Sequence, residues 1–405
     1  MGNCLLPIPN AGLPASRCEL PLGMSWSAPV GRCIRLSDNI RSCMNAANSV
    51  FDRHHMLRIG QFEFDLPVVQ AALSGYSDWP MRAMARQMGA PYTICEVMID
   101  SFVNSLKDRA RTKRFLMVTE DDHPAGAQLM GADPSEFPSA AVRLVEAGFD
   151  VIDINFGCPV KKALGRCRGG FHLGQPDIAL EIVRRVRGAV PDRVPVTVKM
   201  RRGVDDTEQS RDQFLQIFSG AFKEGVSAIT VHGRTVQQRY NGPSNWSFLA
   251  DLCADFPDNT ILGSGDLFCA EDCVRMIRET GVKGVTAARG SIGNPWIFEQ
   301  ARALLAGHPL PSPPSVTEQK EALLEHFRFA EIAYSSKRAV KQMRKFGMRY
   351  ADWHPDADDV KADFIRVGDA RTWNSVIKHW YTSDRPGVYP VYPGVPKPPA
   401  SDVTA

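Results

Sequence analysis

Between Leu57 and Gly307 the chain alternates eight times between a short apolar run and an amphipathic stretch, and this pattern decides the fold. The runs are Leu66–Ala72, Tyr92–Val97, Ala125–Met130, Val151–Asn155, Val194–Lys199, Ala228–His232, Thr260–Gly263 and Gly284–Ala287. Short apolar runs of this kind read as strands buried on both faces, and helix-length segments between them make the strands parallel. Residues 133–148 show the intervening pattern. Asp133 can cap, Pro134 suits the first helical position, Glu136 follows three after the cap, and Gly148 stops the helix. Phe137, Ala141, Leu144 and Val145 share one face, and Ile178, Ile182 and Val186 repeat the stripe in the next helix. Eight such units in about 250 residues fit a closed α/β fold, the (β/α)₈ TIM barrel, better than an open doubly wound sheet. The barrel is expected over residues 57–307.

The rest of the chain divides around it. Residues 1–56 show no period, carry four scattered cysteines and several Pro and Gly, and read as an irregular N-terminal extension. His308–Pro314 is a stiff Pro-rich linker. Residues 317–383 read as a smaller helical domain, with Leu323, Leu324, Phe327 and Ala330 at helical spacing, and the Pro-rich residues 388–405 read as a disordered tail. No uncharged apolar run is long enough to span a bilayer, and no secretory leader precedes the barrel pattern, so no membrane is expected. The ten cysteines form no C-x-x-C pair, which fits reduced thiols and a cytoplasmic location. A net charge of +3 leaves any nucleic-acid footprint to be local.

Active sites of such barrels lie at the carboxyl ends of the strands. Six consecutive predicted strands end in polar or reactive groups: Gln128, Asn155 with Cys158 just beyond, Lys199, His232, Ser264-Gly265-Asp266 and Ala288-Arg289-Gly290. Packing does not account for six in a row. Lys199 can neutralise an electron-rich ring or a developing anion. The seventh and eighth loops offer small residues whose N–H groups can approach a phosphate, with Arg289 as countercharge. A phosphate-bearing aromatic cofactor follows, with Gln128 suited to the ring's polar edge. His232, followed by Arg234, is either a ligand contact or a structural hydrogen-bonder. Gly157 and Pro159 present Cys158 on a tight turn, where a thiol can be nucleophile, metal ligand or proton donor. No Cys/His cluster has zinc spacing, so no metal is expected. Further on, Lys337, Arg338, Lys341, Arg344, Lys345 and Arg349 occur without an acid between them. Lys337, Lys341, Lys345 and Arg349 fall on one helical face, a pattern for phosphate contact.

Asn155-Phe-Gly-Cys-Pro-Val-Lys-Lys162, Val198-Lys-Met-Arg-Arg-Gly203, His232-Gly-Arg-Thr235 and Arg289-Gly-Ser-Ile-Gly-Asn-Pro-Trp-Ile-Phe298 resemble successive motifs of the bacterial-type tRNA-dihydrouridine synthases. Gly75-Tyr-Ser-Asp-Trp-Pro-Met-Arg82 and Gln128-Leu-Met-Gly131 resemble two earlier ones, so the likeness covers about residues 60–350. The resemblance implies a monomeric barrel that holds FMN, takes electrons from NADPH and reduces uridine in tRNA to 5,6-dihydrouridine. The hydride goes to C6, and Cys158 matches the residue that protonates C5. A cysteine thiol is largely protonated at neutral pH, as an acid must be. Ala72, Leu73, Ser74, Gln128, Asn155, Lys199, His232, Ser264, Gly265, Asp266, Ala288 and Arg289 match the cofactor positions. Arg201, Arg234 and the basic helix are expected to face the RNA. Several residues depart from the family. Ala71-Ala-Leu-Ser74 stands for Ala-Pro-Met-Ala, Ser264 replaces Asn, Ala288 replaces Gly, and Arg168-Gly-Gly-Phe-His-Leu173, with Cys167 beside it, replaces a run of small residues. Two other functions use the same features: a small-molecule flavin reductase, against which the basic helix argues, and a flavin-free RNA-binding paralogue.

Overall fold

The computed structural model describes residues 56–107 and 109–392. Eight parallel strands close into a ring: β3 (Val68–Gln70), β4 (Thr93–Ile94), β6 (Ala125–Met130), β7 (Val151–Phe156), β8 (Val196–Arg201), β9 (Ala228–His232), β10 (Ile261–Ser264) and β11 (Gly284–Ala287). β11 pairs back onto β3, and β4 bridges β3 to β6, which completes the circle. A short β5 (Met98–Ile99) adds to β6 beside β4. Three expected strands match their observed limits: Ala125–Met130, Ala228–His232 and Gly284–Ala287. An antiparallel hairpin that the periodicity reading left out, β1 (Leu57–Ile59) and β2 (Phe62–Phe64), precedes the ring. It turns at Gly60, whose φ of +58° suits glycine, and Leu57, Ile59 and Phe64 are buried beneath it.

The longer helices of the barrel are α1 (Trp79–Gln87), α2 (Phe137–Glu146), α3 (Pro176–Ala189), α4 (Glu208–Lys223), α5 (Trp246–Asp255), α6 (Ala270–Thr280) and α7 (Ile297–Leu305). α2 starts three residues later than the sequence predicts. Asp133 Oδ1 accepts from the Ser135 N–H and hydroxyl, both at 2.8 Å, so the Asp caps its own turn and Pro138 occupies the first helical turn. Gly148 ends the helix at φ +102° as expected.

Four helices follow the linker: α8 (Val316–Ala333), α9 (Ser336–Tyr350), α10 (Ala357–Arg366) and α11 (Ala370–Trp380). α8 opens on a capping box of Ser315 and Glu318. Its buried face is Ala322, Leu323, His326, Phe329 and Ala330, whereas Leu324, expected on that face, is 44% exposed. Trp79, Met81 and Met84 of α1, together with Trp296, share a core with Leu323, Phe329, Val340 and Phe346. Each large apolar side chain buried there contributes about 1.5–3 kcal/mol, which fastens the helices to the first barrel unit. Asp78, buried at that seam, accepts from the Tyr334 hydroxyl and from Gln342 Nε2. Residues 388–392 depart from the expected disorder. The Val388 N–H donates to Trp353 O at 2.9 Å, and the Tyr392 ring stacks on Phe268. The rest of that tail and residues 1–55 lie outside the described residues. Among the described residues, no helix is long and apolar enough to cross a membrane.

Candidate active site

Strand register assembles the first half of the rim. Gln128 sits opposite Asp153, and Asn155 opposite Lys199. Asp153, buried in the barrel, accepts from Gln128 Nε2 and Thr197 Oγ1, both at 2.6 Å. Burial raises the Asp153 pKa, and those two donors oppose the rise. Gln128 Oε1 accepts in turn from Asn155 Nδ2 at 2.7 Å. Asn155 Oδ1 then accepts from the N–H groups of Gly157 and Cys158, at 2.9 and 3.0 Å. A continuous relay therefore runs from the barrel interior to the Cys158 turn. Its inner members, Asp153 and Thr197, escaped the sequence reading, although a lone Asp inside Val-Ile-Asp-Ile-Asn was a visible signal.

The turn is also held from outside. Gly170 N–H donates to Cys158 O at 3.1 Å, and a Cβ on Gly169 would come within 2.7 Å of Cys158 Cβ. Only glycine fits there, the more so at φ +61°. The Cys158 side chain is half-buried.

Lys199 and His232 fill the next two positions. Lys199 is half-buried, and burial, with Arg201 nearby, pushes its pKa down to about 8. Asp153 is the carboxylate whose field reaches it, and that carboxylate is already spent on Gln128 and Thr197. An ammonium in this setting suits an anionic or electron-rich ligand. His232 stands in register between Arg201 and Ser264. Its Nδ1 accepts from the Arg234 N–H at 3.1 Å, which places the ring proton on Nε2. Burial and the charges of Lys199, Arg201, Arg234 and Arg289 lower its pKa and keep it neutral.

On the far side of the rim the chain turns sharply at Gly265, φ +110°, and Asp266, φ +58°. A Cβ on Gly265 would meet Ser244 Cβ at 2.9 Å and His232 Cε1 at 3.1 Å. The Asp266 carboxylate accepts from Arg234 Nη2 at 2.7 Å through each oxygen and from Ser244 N–H at 2.7 Å. Arg289 Nη2 lies 3.8 Å away, its side chain 45% exposed, with its guanidinium between the rings of Tyr240 (5.0 Å) and Phe268 (4.9 Å). Ala288 has φ −105°, outside the left-handed region that favours glycine. Ala72, Leu73 and the exposed Ser74 follow β3, where Leu73 N–H donates to Ser77 Oγ at 2.7 Å.

Two residues expected to face the RNA are buried. Arg201, 3% exposed, donates to Gly157 O (2.9 Å), Thr235 O (2.8 Å) and Arg239 O (2.8 Å). Arg234, 4% exposed, donates to Gly242 O and Asp266. Each guanidinium ties rim loops together. The basic helix carries both exposed and docked cations. Lys337, Lys341 and Arg349 are exposed, whereas Lys345 docks on the barrel, donating to Gly75 O at 2.6 Å with Nζ 4.7 Å above the Tyr76 ring. Gly75 follows β3, so this face of α9 borders the barrel mouth. Among the described residues, no group of three or more His, Cys, Asp or Glu side chains could hold a metal ion.

The family described as "Dihydrouridine synthase (Dus)" matches residues 69–376. A probable tRNA-dihydrouridine synthase of Rickettsia conorii is 29% identical over 328 residues, 81% of this chain and 97% of that protein. The tRNA-dihydrouridine synthase B of Pseudomonas aeruginosa is 31% identical over 332 residues, covering 80% and 96%. Among solved structures, a complex of 2-naphthoyl-CoA reductase with 2-naphthoyl-CoA aligns at TM-score 0.50 and 10% identity, over 63% of this chain and 52% of that one. That likeness supports the barrel fold alone. The chain is a member of the dihydrouridine synthase family of oxidoreductases.

Proposed function

We propose that this protein reduces uridine in tRNA to 5,6-dihydrouridine, with FMN at the barrel rim, NADPH as reductant and Cys158 as the proton donor. The observation that carries the reading is the relay Asp153–Gln128–Asn155–Cys158. It fixes a thiol-bearing turn beside Lys199, at the end of the barrel where such enzymes react. The rim residues fit the cofactor. The Gly265 turn brings backbone where a phosphate is expected, with Arg289 as countercharge. Lys199 suits the electron-rich ring, and Gln128 keeps one amide N–H beyond its bond to Asp153.

When bound, FMN supplies the hydride that adds to C6 of the uracil. The Cys158 Sγ–H bond breaks as its proton passes to C5, the C5=C6 double bond becomes single, and the thiolate regains a proton from water. Asn155 and Gly169 hold the thiol in place for this transfer. Lys199 is protonated below about pH 8 and stabilises negative charge in the site. The uridine must leave its stack to reach such a pocket, at a cost of a few kcal/mol. Mass spectrometry of bulk tRNA from a strain lacking the gene is the test. Loss of dihydrouridine from at least one position is expected, and an unchanged content overturns the reading.

A further inference from the structure

Residues 385–392 leave the helical part of the molecule and return to the barrel rim, and the reaction described above does not use them. Hydrogen bonds fix this strap along its path. Val316 N–H donates to Arg385 O at 2.9 Å, and the Arg385 guanidinium pairs with Asp356. Val388 N–H donates to Trp353 O, and the Tyr389 hydroxyl donates to Pro311 O. Tyr392 then stacks on Phe268, with ring centroids 5.9 Å apart and planes inclined by 20°.

Phe268 is where the strap meets the site. It follows the Gly265–Asp266 turn, and the Arg289 guanidinium lies 4.9 Å from its ring and 5.0 Å from the ring of Tyr240. The main chains touch as well. A Cβ on Gly290 would come within 2.8 Å of Phe268 Cα and of Phe268 O, so the loop that carries Arg289 rests on the Phe268 backbone. Phe268 N–H donates to Asp272 at 3.1 Å and Asn294 Nδ2 donates to Gly290 O at 2.9 Å, which fix the two loops. The Arg289 side chain itself is 45% exposed, and the Asp266 carboxylate 3.8 Å away is shared with Arg234. A guanidinium so exposed, with one shared carboxylate, takes its orientation from the rings beside it.

We propose that Tyr392 is a positioning residue for the cofactor phosphate: stacked on Phe268, it steadies the ring against which the Arg289 guanidinium is aligned. This rests on the reading of Arg289 as phosphate countercharge given above. A side chain ordered before binding contributes more to affinity, because little rotamer freedom is lost on contact. Titration of flavin-free, full-length protein with FMN and with riboflavin, which lacks the phosphate, tests the proposal. Tyr392→Ala is expected to weaken FMN binding roughly fivefold and to leave riboflavin binding unchanged. Tyr392→Phe keeps wild-type affinity for both flavins, and so does Val391→Ala at the exposed neighbouring position. In an Arg289→Ala background, Tyr392→Ala has no further effect on FMN. Wild-type FMN affinity in Tyr392→Ala overturns the proposal, as does an equal loss for both flavins, which is the result of a merely structural strap. An additive loss in Arg289→Ala/Tyr392→Ala overturns it too. Wild-type protein that binds riboflavin as tightly as FMN, or binds neither, overturns the phosphate reading of Arg289 and the proposal with it.

Discussion

Arg201 and Arg234 at the barrel rim, and Lys337 and Lys341 on α9, are cations that sequence alone groups together. The structure separates them by what their charges touch. The rim arginines are buried and donate to carbonyls and to Asp266, so they shape the loops around the site. The helix lysines are exposed, on a face that borders the mouth. A buried guanidinium with several carbonyl partners belongs to folding and preorganisation, whereas an exposed ammonium is available to a ligand.

The sharpest way to break this contrast is Arg201→Ala. Three carbonyls lose a charged donor, and the Cys158 turn loses its tie to the next two strands. Folding stability is expected to fall by about 2–4 kcal/mol. Arg201→Lys recovers less than half, because one ammonium cannot span three carbonyls. Urea unfolding of both variants measures this, and wild-type stability in Arg201→Ala together with weakened RNA binding would reverse the assignment.

Lys199 stands between the two classes, half-buried yet without a dedicated carboxylate. Its folded pKa of about 8 lies below the usual 10.5, so between those values the native state binds fewer protons than the unfolded chain. The charge therefore disfavours folding fully below pH 8, and the penalty disappears as pH rises toward 10.5. In flavin-free protein, wild type is expected to gain stability on Lys199→Met across that window, as read from paired urea midpoints. A constant difference between the two proteins would contradict the burial argument.

Lys337→Ala/Lys341→Ala is expected to do least to the fold, within about 0.5 kcal/mol of wild type. The salt slope of tRNA binding should fall by about two. Destabilisation by this pair would remove the distinction between the two sets of cations.

Much of the fold could be read directly. Strands covered on both faces are continuous apolar runs, and Ala125–Met130, Ala228–His232 and Gly284–Ala287 stand out as such. The hairpin at 57–64 carried an in–out alternation of Leu57, Ile59 and Phe64, which a search tuned to unbroken runs passes over. The start of α2 was misplaced because Asp133 can cap either a turn or a helix, and only the chain's path chooses. The rim residues were legible as a set, since strand ends place them at one end of the barrel. Their partners were not. Gly157 O and Thr235 O reach Arg201 from 44 and 34 residues away, and Tyr334 meets Arg114 across 220. Such meetings depend on loop geometry that no local pattern encodes.

The account stands most directly on the thiol held by Asn155 and Gly169. FMN-loaded Cys158→Ala, reduced with NADPH and then mixed with tRNA, isolates the step this thiol serves. Flavin reduction is expected at the wild-type rate, and reoxidation by tRNA slower by about 10²-fold or more. Reoxidation at the wild-type rate, with normal dihydrouridine formation, would remove Cys158 from the chemistry.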